Sequence, residues 1–171
     1  MSTDQIKALS TDQVKGLQDA QIKALSTDQI KQLGTAQIAA LETSQIKSLT
    51  AAQLSSMGTD QIAAIETADL AQLSAAQLKG LTTDQIKGLS TTQVEKLSAT
   101  QIKALSTDQI AAIETADLAK FSTEQIAALS AAQVKGMGTD QIKALSTDQV
   151  KGLQDAQIKA LSTDQIKQLG T

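Results

Sequence analysis

Ser2-Thr3-Asp4-Gln5-Ile6-Lys7-Ala8-Leu9 is the stretch on which the fold turns, because copies of it fill the chain without a gap. Cut from Ser2, the sequence falls into 21 octads over residues 2–169, and residues 170–171 (Gly170, Thr171) start a further repeat. With the octad positions lettered a to h, e is Ile, Val or Leu and h is Leu, Ile, Met or Phe in all 21 copies. Position d is Gln in 19 copies and Asp in the other two, Asp69 and Asp117.

One continuous helix fails on geometry. Eight residues advance about 800°, so successive octads would drift by about 80° around the axis and carry the Ile/Leu pairs to every face. Supercoiling does not help, since coiled coils live near ~3.5 to ~3.67 residues per turn and an octad asks for about 4.0. A β-solenoid fits poorly too, because Ala, Gln, Lys and Leu favour helix and the apolar spacing within an octad is three, not two. What fits is a short helix of about seven residues restarted in every octad.

Ser-Thr-Asp-Gln reads as a capping box, with the hydroxyl at a accepting from the backbone at d and the Gln at d reaching back. Asp at c then sits in the first turn and Lys at f toward the end, as the helix dipole prefers. Position a lacks a hydroxyl in eight copies, among them Gln18, Gly34, Glu42 and Glu66, and in each of these b is Thr or Asp. The expectation is therefore a side-chain cap at a or b in every octad. Helices this short are not stable alone, so stability must come from stacking.

A longer period sets the number of helices per coil. Glu occupies position a at Glu42, Glu66 and Glu114, all separated by multiples of 24, and Gly58–Leu73 resembles Ser106–Phe121 48 residues on. This favours three helices, 24 residues, per coil, with two per coil left open. Residues 3–35 recur identically as 139–171, an offset of 136 that breaks the 24-residue phase. No specialised polar cap stands at either end, so the terminal octads are expected to fray.

Composition narrows the function. The 171 residues include no Cys, His, Pro, Trp, Tyr, Arg or Asn, and Phe121 is the lone aromatic. Disulfides, thiolate metal sites and His-dependent catalysis are excluded, and the usual tools for phosphate forks and base stacking are missing. Fifteen Lys against 18 Asp plus Glu give a charge of −3. No apolar run approaches the roughly 18 residues of a membrane span, and Met1 runs straight into the repeat with no signal-peptide pattern.

Each polar column has a structural reading that accounts for it. The Gln column at d serves capping and hydrogen bonds between coils rather than a ligand ladder. The acids at c (Asp4, Asp12, Asp28 and their equivalents) match neither an EF-hand nor the glycine-rich calcium nonapeptide, and read as solvated helix-start charges. Lys at f, present in 13 octads, is an i,i+3 neighbour of Asp at c and makes a mixed-charge face rather than a nucleic-acid or lipid stripe. Capping also accounts for the Ser/Thr hydroxyls, leaving no need for an ice-binding array. Met57, Met137 and Phe121 at h read as core. Paired acids such as Glu66 and Asp69 belong to repeating surface columns, so no catalytic, cofactor-binding or metal site is expected.

The run Leu25–Leu33, Leu-Ser-Thr-Asp-Gln-Ile-Lys-Gln-Leu, resembles the octapeptide helical repeat arrays of very large bacterial exported or surface proteins, labelled adhesin-, haem-utilisation- or RTX-like. The likeness covers residues 2–169 and implies a secreted or cell-surface setting and a stalk-like role. The haem label carries over to no residue. Ser26, Asp28 and Gln29 are also similar to the start of the first helix of TAL effector repeats, but the Pro, second helix and base-reading loop are absent, so DNA binding is not implied.

These observations predict an all-α solenoid of 21 short helices forming one array over residues 2–169. Its expected role is a stiff, non-catalytic spacer of a larger bacterial surface or secreted protein, monomeric in isolation, with no cofactor, small molecule, nucleic acid or membrane insertion. Its neighbours would be flanking domains or laterally associated copies. Two alternatives are an interaction scaffold binding protein or polysaccharide through its Lys/Ala face (Ala39, Ala63, Ala71, Ala111, Ala119, Ala127), and an engineered consensus repeat.

Overall fold

The structure is a computed structural model that describes residues 1–169; Gly170 and Thr171 lie outside the described residues. Every octad forms one α-helix, and among the described residues there is no strand. The chain divides into two compact units, Met1–Leu89 and Ser90–Thr171. The first holds α1 (Thr3–Lys7), α2 (Thr11–Lys15), α3 (Asp19–Lys23), α4 (Thr27–Lys31), α5 (Thr35–Ala39), α6 (Thr43–Ser48), α7 (Ala51–Ser56), α8 (Thr59–Ala63), α9 (Thr67–Leu70), α10 (Ala75–Lys79) and α11 (Thr83–Lys87). The second holds α12 (Thr91–Glu95), α13 (Ala99–Ala104), α14 (Thr107–Ala112), α15 (Thr115–Leu118), α16 (Thr123–Ala128), α17 (Ala131–Gly136), α18 (Thr139–Lys143), α19 (Thr147–Lys151), α20 (Asp155–Ala160) and α21 (Thr163–Gln168).

The helices have four to six residues, shorter than the seven expected. Position h ends each one: Leu9 N–H donates to the Ile6 carbonyl at 3.2 Å, a three-residue closure that tightens the last turn. The backbone is then extended at h (Leu49 φ −59°, ψ 135°) and at a (Ser2 φ −75°, ψ 167°), which turns the chain through a corner. Even at the C-cap the glycines keep negative φ, −72° at Gly16 and −74° at Gly80, so the corner needs no left-handed residue. That explains why Ala, Gln, Ser or Lys serves at position g as well as Gly does.

Three helices make a coil. In the first unit α1, α4, α7 and α10 stack in one column, α2, α5, α8 and α11 in a second, and α3, α6 and α9 in a third. The second unit stacks α12, α15, α18 and α21, then α13, α16 and α19, then α14, α17 and α20. Within each unit the stacking partner lies three octads away, which decides against two helices per coil. The architecture is an α-solenoid.

The two apolar positions do different work. Ile6, Val14 and Ile22, at e in the first coil, are completely buried although among the described residues no coil precedes theirs. Ile158 and Ile166, at e in the last coil, are 46% and 52% exposed. Position e therefore points to the coil that follows and is buried only when that coil is present. Position h lies on the inside of the coil. Leu33, Ile65, Leu97 and Ile113 are all buried there, as are Met57, Phe121 and Met137. The terminal octads form α1 and, to Gln168, α21.

Candidate functional site

The most regular polar feature is the Gln column, and its geometry shows one amide serving two helices. At Gln53 the side-chain oxygen accepts the N–H of Thr50 at 2.8 Å, and the Thr50 hydroxyl accepts the Gln53 N–H at 3.1 Å. Its Nε2 donates to the carbonyls of Ile22 at 2.9 Å and Leu25 at 2.8 Å, which lie 31 and 28 residues earlier. One Gln thus caps the start of α7 and donates to two carbonyls at the end of α3, of which that of Ile22 also accepts the Leu25 N–H at 3.1 Å. The pattern recurs at Gln37, Gln45, Gln61 and Gln85 in the first unit and at Gln133, Gln149 and Gln157 in the second. These amides are buried and all their buried polar atoms are bonded.

The expectation that b takes over where a lacks a hydroxyl does not hold. Gln18, Gly34, Glu42, Gly58 and Gly138 make no side-chain cap, and the helix still starts at the same place. What persists is the other half of the box: the N–H of Gly34 donates to Gln37 Oε1 at 2.6 Å, and that of Glu42 to Gln45 Oε1 at 2.8 Å. The Gln at d, not the hydroxyl at b, makes the hydroxyl at a dispensable.

Asp replaces Gln at Asp69, at the start of α9. A carboxylate cannot donate to a carbonyl, so the ladder skips Ile38 and Leu41, and Asp69 Oδ1 instead accepts the Thr43 hydroxyl of α6. Asp117, in α15, accepts the Thr91 hydroxyl of α12 in the same way. α9 and α15 are the two four-residue helices, and neither has a capping box. The period of 24 that marks Glu42 and Glu66 now has a spatial meaning, since α6 and α9 stack and these two N-cap carboxylates lie in one column.

Beside this break is an open cleft of about 560 Å³, lined by Lys15, Ala39, Glu42, Glu66 and Asp69 among others. In the second unit Lys103, Ala127, Gln154 and Gln157 border another of about 530 Å³. Among the described residues no three acidic side chains gather in a way that could hold a metal ion. Asp28 and Lys31 lie 3.9 Å apart and Asp164 and Lys167 3.3 Å apart, exposed i,i+3 pairs that add little stability. The six Ala at f do not form one patch. Ala39 and Ala63 share the α5–α8 column, whereas Ala111, Ala119 and Ala127 fall on three successive helices and hence on three sides of the coil.

Among the described residues no helix is long and apolar enough to cross a membrane. Six segments of the chain, residues 15–43, 30–64, 62–98, 87–112, 110–147 and 142–171, match the ALTTAQ repeat family. No curated protein matches the sequence.

Proposed function

The chain belongs to the ALTTAQ repeat family, and on that premise we propose that it is a structural repeat segment, a stiff non-catalytic spacer within a larger bacterial surface or secreted protein. The observation that carries the reading is the Gln ladder. The most regular polar side chain of the repeat is spent on joining each coil to its neighbour, at Gln53 through bonds to Thr50, Ile22 and Leu25. What remains outside is a repeating mixture of Asp, Lys, Thr and Ala with no distinctive constellation, which suits a spacer better than an enzyme. Duplicating Ser26–Leu49, one full coil of the first unit, tests it. Small-angle scattering should show the molecule lengthening by about 10 Å per added coil, the spacing of packed helices. A gain in bulk without that increment would sink the spacer reading.

An interaction scaffold is the second reading, favoured by the cleft in which Ala39 lies beside Lys15 and Glu66. Ala39→Lys and Ala63→Lys leave a spacer unchanged. Loss of binding to a polysaccharide or protein surface would favour the scaffold.

A further inference from the structure

Asp69 and Asp117 replace the ladder Gln in α9 and α15, and each removes more than a single bond. A ladder Gln is tied in two directions, as Gln53 is to the Thr50 N–H of its own octad and to the carbonyls of Ile22 and Leu25 one coil away. Asp is one methylene shorter than Gln, and its carboxylate donates nothing. Each Asp instead makes one bond to the preceding helix of its column, accepting the hydroxyl of Thr43 at 2.5 Å or of Thr91 at 2.6 Å. Among the described residues the N–H of Glu66 and the carbonyl of Leu41 meet no protein partner. Neither Glu66 nor Glu114 supplies a side-chain cap, so α9 and α15 are four-residue helices without a capping box.

The junction between α6 and α9 carries a second weakness. Glu42 and Glu66, the N-caps of these two helices, are exposed and line the same open cleft of about 560 Å³. Asp69 lies on that wall too, and Lys15 is its one cation among the described residues. Carboxylates one coil apart repel, and salt screens the repulsion because both face water. The corresponding pair between α12 and α15 is Ser90 and Glu114, which carries no such repulsion. Apolar packing does not set these helices apart: Leu70 and Leu118 are fully buried at position e, as are Leu54 of α7 and Ile126 of α16. The deficit is confined to polar groups at the junction. A helix of four residues has no stability of its own, so when the junction parts the helix unfolds with it.

We propose that α9 and α15 are opening points built into the array, at which the stack of each unit parts locally while its other helices stay closed. One Asp–Thr bond closes each point, Thr43 to Asp69 in the first unit and Thr91 to Asp117 in the second. A stack with such points yields in short segments instead of unravelling from coil to coil. The inference stands apart from the spacer reading, whose scattering test measures length and not local opening.

Amide hydrogen exchange of the intact chain, followed residue by residue by NMR, tests it. The Leu70 and Leu118 N–H groups donate to the carbonyls of Glu66 and Glu114 at 2.9 Å, and those of Leu54 and Ile126 to Thr50 and Ser122 at 3.0 Å. The four amides are thus matched in bonding, and their side chains in burial. After correction for intrinsic rates, Leu70 and Leu118 should exchange about fivefold faster than Leu54 and Ile126, the factor that one net lost hydrogen bond gives. Asp69→Gln should slow Leu70 to the rate of Leu54 and leave Leu118 unchanged, and Asp117→Gln should do the reverse. Raising salt from about 0.01 M to about 1 M should slow Leu70 more than Leu118. Equal protection of all four amides overturns the proposal. So does an Asp69→Gln variant in which every amide of the first unit slows by the same factor, because the Asp–Thr bond then governs the whole unit and no local opening exists. Equal salt responses at Leu70 and Leu118 overturn the role given to Glu42 and Glu66.

Discussion

Asp69 and Thr43 are joined at 2.5 Å, carboxylate oxygen to hydroxyl, where every neighbouring repeat of the first unit would join a Gln amide to two backbone carbonyls. This is a substitution of one inter-coil bond for two, and it coincides with the shortest helix of that unit. Asp69→Gln should restore donors to Ile38 and Leu41 and raise stability by about 1 kcal/mol. Thr43→Val should cost about 1 kcal/mol in the natural chain and close to nothing in the Asp69→Gln background. Urea unfolding of the four proteins checks both numbers, and equal costs in the two backgrounds would show that the pair is not coupled.

The double duty of the ladder amide predicts that position along the stack matters more than identity. Gln53→Leu removes the cap of Thr50, leaves the Leu25 carbonyl without its inter-coil donor and leaves the Ile22 carbonyl only the Leu25 N–H, at a cost of about 2 kcal/mol. Gln13→Leu loses only the exposed bond from Ser10 N–H, under about 1 kcal/mol. Gln53→Glu separates the two roles, since it keeps the acceptor for Thr50 and turns the donor into a carboxylate. Burial against carbonyl oxygens raises the pKa of the introduced carboxyl above its unfolded value, so the penalty is full at neutral pH and shrinks as pH falls. Thermal unfolding at neutral and acidic pH should show the variant gaining on wild type toward acid.

The repeat made much of this legible. Octad length with Ile at e and Leu at h forced a restarted helix, Ser2 and Gln5 announced the capping box, and the 24-residue spacing of Glu42 and Glu66 favoured three helices per coil, with two left open until the stacking decided it. The missed features need a third dimension. Thr35 and Thr43 looked like substitute caps because a hydroxyl one residue along is close in sequence, but the helix does not shift its start to use it. The inter-coil role of the Gln column was legible, but not which carbonyls each amide takes, because they lie 28 and 31 residues away. The direction in which position e points was hidden for the same reason: Ile6 and Ile166 sit in nearly identical sequence, and only the presence of a following coil among the described residues distinguishes them.

Glycine at position g separates packing from propensity. A Cβ added at Gly80 would lie 2.7 Å from the Ala51 Cβ in the coil below, whereas one at Gly16 meets only its own helix carbonyls at 3.4 and 3.5 Å. Gly16→Ala should therefore stabilise by about 0.5 kcal/mol through the unfolded state. Gly80→Ala should destabilise by about 1 kcal/mol as the columns are forced apart. Opposite signs in chemical denaturation are the expected result; a gain in both would mean that the α7–α10 contact is loose enough to absorb a methyl group.

The ladder also dictates which deletions the fold accepts. Removing the octad Gly34–Leu41 leaves each following d residue 28 and 31 positions after an h and an e carbonyl, so Gln45, Gln53 and Gln61 find equivalent partners one octad earlier in the original chain and Gln77 and Gln85 keep theirs. Removing only Gly34–Gln37 shifts that register by half an octad and sets amides opposite helix-start residues, with the apolar e positions turned away from the coil they cover. The octad deletion should keep full helical content per residue and lower the urea m-value only in proportion to the surface removed. The four-residue deletion should lose helix on at least one side of the cut and unfold in more than one step. Circular dichroism during urea titration distinguishes them. Equal tolerance of both deletions would mean that the coils are held by unspecific apolar contact, and that the glutamine register contributes nothing to the choice of neighbour.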